Sequence, residues 1–335
     1  MATIGESTGT ITNSGHRLGN DTGKVNPLHI EQYGGAVESQ FVKSSIMREY
    51  FTLKRITGTD TVTNDRIGKT TLQAVVEGTR PSSAAPTFDN ISVKVDTVVL
   101  ARSNVALLHD FQAHFDVRAA VGAEHGKEIG KFFDEAFLIQ GIKAAMVTVG
   151  TGAGEQPAPE GFQSGTVITL AAAGDENDPD KFQRAIEDAS ADIEKKDVDI
   201  EGAVLFVPVD QYYTLLRNDK LISGDYSTGN GDYAQGMVLR SNGIRVVKTN
   251  RIPSAAKSGH FLSNAGNNNA YDVSAAEAKA CAVLLMPKAL LAGETIPLTS
   301  DVYYDKPELQ WFIDSYLAFG VTPNRSEVAA VIMKA

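Results

Sequence analysis

The segment from Phe115 to Met146 constrains the fold more than any other part of the chain. Ile129, Phe132, Phe133, Ala136, Phe137, Ile139 and Ile142 recur at i, i+3, i+4 spacing, while Lys127, Glu128, Lys131 and Asp134 fall off that stripe. The pattern predicts a single helix approaching about 45 Å in length, longer than most globular helices. Gly122, Gly126 and Gly130 weaken helix propensity in its first half and predict a bend there.

Before this helix the chain reads differently. Residues 1 to about 40 are rich in Gly, Ser, Thr and Asn, with scattered apolar side chains such as Leu18, Val25, Leu28 and Ile30. Such a composition buries too little surface to offset the entropy of ordering, which predicts a flexible arm that gains structure only against another surface. Residues 41 to 56 carry a first apolar stretch of short helix or strand. Two strand-like segments follow, Thr70 to Glu77 and Asn90 to Leu108, separated by GTRPSSAAPTFD. In the second, Ile91, Val93 and Val95 alternate with polar residues until the apolar phase slips to Val98 and Leu100, which predicts a bulge or a change of face. Together they predict a long two-stranded arm with a polar tip. Isolated hairpins are marginal in water, so this arm needs a partner surface.

After the helix, the Gly, Ala and Pro-rich residues 147 to 177 read as a boundary between modules. Asp178 is placed to cap a helix with Pro179 at its first position, and Phe182, Ile186, Ala189 and Ile193 mark the buried face. Gly202 to Val207 reads as a strand, with Pro208 opening the helix DQYYTLLRN. Ile244 to Lys248, Ala280 to Met286, Glu308 to Gly320 and Val328 to Met333 are further strands. GDYSTGNGDY and SAAKSGHFLSNAGNNNAYD are turn-rich and expected to be exposed. Elements before 150 and after 295 are expected to complete one β-containing module, with an α/β module inserted between them. No internal repeat is visible.

Charge narrows the function. The 31 Lys and Arg residues against 41 Asp and Glu give a net charge of −10, with no electrostatic footprint for clamping DNA or an anionic membrane. The hydrophobic fraction of 42% argues against wholesale disorder. The lone cysteine, Cys281, excludes a disulfide framework within the chain, and its apolar neighbours predict a buried, inert thiol. No apolar run reaches the roughly 20 residues of a membrane span, and MATIGESTGT lacks the basic start and apolar stretch of a secretion signal. The expectation is a soluble protein made in the cytosol.

Catalytic motifs are imitated and fail on context. Gly5, Ser7 and Gly9 fit G-x-S-x-G without the strand and helix that strain a nucleophile elbow. Gly68, Lys69 and Thr70 resemble the end of a phosphate loop whose first glycine is replaced by Thr63. Gly150, Gly152 and Gly154 lack the flanking elements and downstream acid of a dinucleotide site. His109, His114 and His125 lie near Asp110, Asp116 and Glu124 but at no zinc-protease spacing. Asp225 to Asp232 misses the alternating ligands of a calcium loop. No catalytic, cofactor or metal residue is assigned.

The order of arm, hairpin, long helix, inserted α/β module and returning β segment resembles the major capsid proteins of tailed phages. The likeness is to the Hong Kong 97 type of fold, and in particular to short-tailed, podovirus-type relatives. The residues carrying it are Gly68-Lys69-Thr70, Glu77-Gly78, the HFDVR of His114 to Arg118, Tyr316-Leu317-Ala318-Phe319-Gly320 and Arg325-Ser326-Glu327. The resemblance implies an α+β fold with an N-arm at 1–50 and a peripheral domain at 51–150. That domain contains an extended E-loop at about 55–95 and a spine helix at about 115–146. A linker at 151–177, an axial domain at 178–290 and a return to the peripheral domain at 291–335 complete it.

The implied function is structural, with no catalysis: pentamers and hexamers of this chain form an icosahedral shell around double-stranded DNA, without sequence-specific binding and away from membranes. Partners are other copies, a separate scaffolding protein, a portal and an optional decoration protein; the location is the virion, with host cytoplasm during assembly. The candidate inter-subunit contacts are Arg66, Lys69, Glu77, Arg80, Lys94, Arg118 and Glu124, with Lys69 and Lys94 also candidates for the lysine cross-link some relatives make. An acidic balance suits such a container, because an inner face that binds phosphates weakly does not hinder packing. The rivals are an encapsulin-like nanocompartment shell and, from another class, a hydrolase using Ser7 or a metal enzyme using His109 and His114.

Overall fold

The structure, a computed structural model, describes residues 37–67, 72–75, 77–78, 80, 88–108, 117–150, 162–222, 231–232, 237–238 and 240–335. The first elements are helices α1 (37–44) and α2 (Met47–Tyr50), then strands β1 (Lys54–Arg55), β2 (Thr61–Ile67), β3 (Phe88–Lys94) and β4 (Val99–Ala106). The long helix α3 (Val117–Met146) follows, then β5 (Thr166–Thr169), α4 (Pro179–Glu194), β6 (Val204–Val207), α5 (Val209–Leu215) and α6 (Asp219–Ile222). The remainder is β7 (Gly231–Asp232), β8 (Met237–Val238), β9 (Arg240–Ser241), β10 (Ile244–Lys248), β11 (Ala280–Leu285), β12 (Leu290–Asp305), β13 (Gln310–Pro323) and β14 (Ala329–Met333). The expected N-terminal arm falls outside the described residues as far as residue 36.

These strands form a six-stranded sheet in the order β5-β14-β11-β6-β10-β9, a four-stranded sheet in the order β1-β12-β13-β4, and the hairpins β2-β3 and β7-β8. The chain divides into two units. One comprises the described residues of Met1–Glu49 with Asp96–Asp134 and Glu294–Phe319; the other comprises Tyr50–Val95, Glu135–Gly293 and Gly320–Ala335.

In the first unit a core of Val37, Val105, Val302 and Ile313 gathers α1, β4, β12 and β13, with Val121 of α3 and Trp311 packed against it. The glycines of α3 explain themselves here. A Cβ at Gly126 would lie 2.4 Å from the carbonyl oxygen of Val37, and one at Gly130 would lie 2.1 Å from Ser44 Oγ. They let α1 approach the long helix closely, and α3 runs without interruption through both. Phe41 meets Phe133 edge-on at 5.6 Å, and Phe133 in turn contacts Phe319 at 4.9 Å.

The second unit is built on the six-stranded sheet. Every residue of β6, β11 and β14 is buried, the continuous apolar run expected of strands covered on both faces. Asp178 caps α4 by accepting from the N–H groups of Asp180 and Lys181, with Pro179 at the first position as the sequence predicts. Phe182, Ile186, Ala189 and Ile193 are all buried.

Three readings of the sequence need correction. Thr166–Thr169, inside the expected connection, is a strand that pairs in parallel with β14. The chain's last strand therefore joins the six-stranded sheet rather than the segments that precede residue 150. The loop 254–272 was expected to be exposed, yet His260, Leu262 and Tyr271 are buried. The hydroxyl of Tyr271 donates to the Val321 carbonyl at 2.9 Å and accepts from its N–H at 2.7 Å, while Gln140 donates to the Ala270 carbonyl. These bonds replace what regular structure would supply to a Gly, Ser and Asn-rich segment.

Candidate functional site

The hairpin is present, with its first strand displaced from where alternation places it. Residues 61–67 pair antiparallel with 88–94, from Thr61 opposite Lys94 to Ile67 opposite Phe88. Leu72 to Val75, in the expected strand, has no regular structure. The second expected strand splits where its apolar phase slips: β3 belongs to the hairpin, and β4 pairs instead with β13. The phase slip thus marks a change of sheet.

A polar cluster pins the half of the hairpin nearer its loop, where Arg66 lies opposite Asp89 and Asn64 opposite Ile91. Arg66, whose side chain is only 11% exposed, donates from Nη1 to the Asn324 carbonyl at 2.6 Å and from Nη2 to Asp89. Its guanidinium lies 4.5 Å from the ring centre of Phe162. Asn64 donates to Oδ1 of Asn324 at 2.9 Å, and Asn324 donates its amide to the Lys288 carbonyl at 3.1 Å. Its backbone N–H reaches the Ala289 carbonyl at 2.8 Å. At the hairpin's base, a Cβ at Gly320 would lie 3.0 Å from the Lys94 carbonyl oxygen, so a side chain there would crowd the β3 backbone.

Where the paired strands give way to the loop, apolar side chains are uncovered. Ile67 and Phe88 are directly opposite each other and are 61% and 66% exposed; beyond them Leu72 and Val75 are 97% and 74% exposed. Of the expected polar tip, 78–89, the structure describes Gly78, Arg80, Phe88 and Asp89, and of these only the exposed Phe88 departs from the expectation; the rest lies outside the described residues. Burying a side chain of this size contributes roughly 1.5–3 kcal/mol, so the adjacent Ile67 and Phe88 offer an adhesive pair, and Leu72 and Val75 add exposed apolar area on the loop.

The charged candidates fare differently. Arg66 is engaged within the chain. Lys94 reaches Asp60 at 3.6 Å, both side chains being more than half exposed. Glu77 and Arg80 are exposed on the loop between the strands. Arg118 lies in the first turn of α3, and Glu124 pairs with Lys127 at 3.3 Å on the exposed face of that helix. Lys69 lies outside the described residues. The structure therefore gathers Arg66, Glu77, Arg80 and Lys94 on one hairpin and leaves Arg118 and Glu124 on the long helix.

One buried anchor escapes the sequence reading. Asp134, expected off the apolar stripe of α3, is 1% exposed. Its carboxylate accepts from Ser45 Oγ at 3.0 Å and from the N–H groups of Ile46 and Met47 at 2.8 and 3.0 Å. It does for the start of α2 what a capping residue does, from another helix, and holds the chain just after α1 against α3.

The remaining chemistry is internal. His125 Nε2 lies 2.8 Å from Ser103 Oγ, and burial pushes its pKa down. His109 and His114 fall outside the described residues, as do Gly5, Ser7 and Gly9, Lys69 and Thr70 of the phosphate-loop imitation, and Gly152 and Gly154. Asp225 to Asn230, most of the acidic Gly-rich stretch, is also outside them. Cys281 is fully buried, and desolvation pushes its thiol up to about 12. Lys196 donates to the Ser164 carbonyl and Thr166 Oγ1, with its pKa lowered by burial. Among the described residues no group of three or more His, Cys, Asp or Glu is arranged to hold a metal, and no helix is long and apolar enough to cross a membrane.

Comparison with known proteins gives this arrangement a context. A family model described as Gp10A-like major capsid protein matches residues 91–288, more than half of the chain. Among solved structures the chain is similar to the mature capsid of bacteriophage PhiM1, at 26% identity over 87% of each chain and a TM-score of 0.71. The capsid of cyanophage P-SCSP1u is similar at 18% identity over 87% of this chain and 88% of that one, with a TM-score of 0.74. A virus-like particle from Pyrococcus furiosus shares the fold at 10% identity, covering 91% and 99% of the two chains with a TM-score of 0.55. None of the curated proteins matches.

Proposed function

The chain belongs to the Gp10A-like major capsid protein family, and from that premise we infer that its hairpin and arm work as the fasteners of a closed shell. As a major capsid protein of a tailed phage, with an α+β fold of the Hong Kong 97 type, it assembles with its own copies into the capsid of the virion. The observation that carries the finer reading is the hairpin. It is a two-stranded element pinned on one side by the Arg66 and Asn64 contacts and carrying, on the next rung toward its loop, the exposed apolar pair Ile67 and Phe88, which is costly in an isolated monomer and useful between copies. Glu77, Arg80 and Lys94 on the hairpin and Glu124 on α3 are the charged side chains proposed to flank that contact.

The same reading assigns the chain no catalysis, an interior that holds double-stranded DNA without sequence preference, and assembly in host cytoplasm with a scaffolding protein and a portal. It also carries the division into N-arm, peripheral and axial domains set out from the sequence, except that the last strand, Ala329–Met333, goes with the six-stranded sheet. Electron microscopy of the purified protein tests the shell. Closed particles are expected from the natural chain. A chain with Ile67→Asp and Phe88→Asp is expected to remain as smaller species with unchanged circular dichroism. Normal shells from that variant would overturn the role of the hairpin's end. Particle contents, nucleic acid or an enclosed enzyme, separate the genome container from a nanocompartment.

A further inference from the structure

Beside strand β2 of the hairpin, at Asn64, lies a cleft of about 420 Å³ whose walls carry Lys54, Lys288 and Arg325 together with the amides of Asn64 and Asn324, and no carboxylate. In a chain with ten more acids than bases this is unusual. Several lysines elsewhere are paired: Lys94, Lys131, Lys143, Lys181, Lys195 and Lys257 each meet an acid within 4 Å, while Lys43, Lys248 and Lys306 do not among the described residues. Lys54 and Lys288 have no ion-pair partner among the described residues. Arg325 meets Glu327 through Nε alone, at 3.7 Å. Asp197, Asp199 and Glu201 line the adjoining hollow without coming within ion-pair distance of Lys288.

We propose that this cleft receives an acidic segment of a second copy of the chain. The proposal rests on the shell reading above and adds the contact's place and chemistry. Copies that each carry a charge of −10 repel one another on average, so close packing in a lattice requires local surfaces where the sign is reversed. Two lysines without an ion-pair partner and an arginine lining one concave surface are such a reversal, and the second N–H of each asparagine amide beside them can donate to a carboxylate. The cleft's volume admits one or two side chains of a peptide segment and is far narrower than a DNA duplex. Asn64 and Asn324 also belong to the cluster that pins the hairpin, so occupancy of the cleft would brace that element.

A zero-length carbodiimide cross-linker, which joins an amine to a carboxylate only when they touch, provides the test. Assembled particles made from equal amounts of isotopically light and heavy chain are treated and digested. Mixed light and heavy peptides linking Lys54 or Lys288 to an Asp or Glu are expected. In parallel, Lys54→Glu with Lys288→Glu is expected to lower the yield of shells at least tenfold, and Lys54→Gln with Lys288→Gln by less, with thermal melting of the subunit unchanged. Absence of mixed links together with normal yield from the Glu variant overturns the proposal. So does a Glu variant that assembles normally but loses retention on DNA, which would make the cleft a phosphate contact. Failure of the unaltered chain to form particles would instead count against the shell reading.

Discussion

At the scale of single residues, Asp134 ties the beginning of the described chain to its longest helix. Its three donors lie 87 to 89 residues earlier in the sequence, and removal of the carboxylate leaves buried N–H groups with no acceptor. Asp134→Ala is therefore expected to cost about 3 kcal/mol in urea-induced unfolding, while Asp134→Asn, which keeps one oxygen acceptor, costs less. Equal stability for all three proteins would show that residues 45–47 find other partners. Cys281 presents the opposite case, a residue whose fate is local. Buried in an all-apolar strand, its thiol is held at about 12, so alkylation by iodoacetamide near pH 8 is expected only after denaturation. Rapid labelling of the native chain would mean that β11 opens. Cys281 is legible in the sequence because its neighbours announce its surroundings; Asp134 is not, because the partners that bury it are distant.

Among the elements, periodicity is informative where one element covers its own face. The long helix, the capped helix α4 and the strands β6, β10, β11 and β14 all lie within a few residues of where apolar spacing places them. The hairpin strand β2 is missed because Thr61–Ile67, TVTNDRI, alternates between half-buried and exposed side chains with little apolar contrast, and its register is set by cross-strand pairing. Strand β12 is missed because Gly293 and Pro297 read as breakers. Its neighbour β1 is only two residues long, and a proline is tolerated along an edge with no ladder hydrogen bond to lose. The adhesive end of the hairpin is likewise hidden, since exposure is a property of the fold. The contacts that pin it yield a prediction. The side chain of Asn324 makes two hydrogen bonds, each contributing about 1 kcal/mol, so Asn324→Ala is expected to loosen the hairpin by roughly 2 kcal/mol. Hydrogen exchange at the amides of 88–94 should rise about thirtyfold, while those of β6 and β11 keep their protection. A uniform rise across the chain would place Asn324 in the global core instead.

For the molecule as a whole, pH acts in opposite directions on the subunit and on its association. His125 and His260 both have pKa values lowered by burial. Asp314 faces the first; around the second, Glu135 and Asp272 oppose the shift and Lys257 reinforces it. Above the ordinary histidine value of about 6.5 neither folded nor unfolded chain carries the extra protons, so stability is flat. Below it the unfolded chain takes them first, and stability falls until the folded pKa values are passed. The melting temperature is thus expected to hold above about pH 6.5 and to drop as the pH falls below it, and His125→Gln with His260→Gln should flatten that slope. Over the same interval the net charge of −10 shrinks toward zero at the isoelectric point near 5.1, and repulsion between copies fades. Light scattering should therefore show association at lower salt as pH falls, even while each subunit becomes easier to unfold. If association instead weakens in parallel with subunit stability, the contacts between copies depend on the histidine-bearing cores more than on the charge that separates their surfaces.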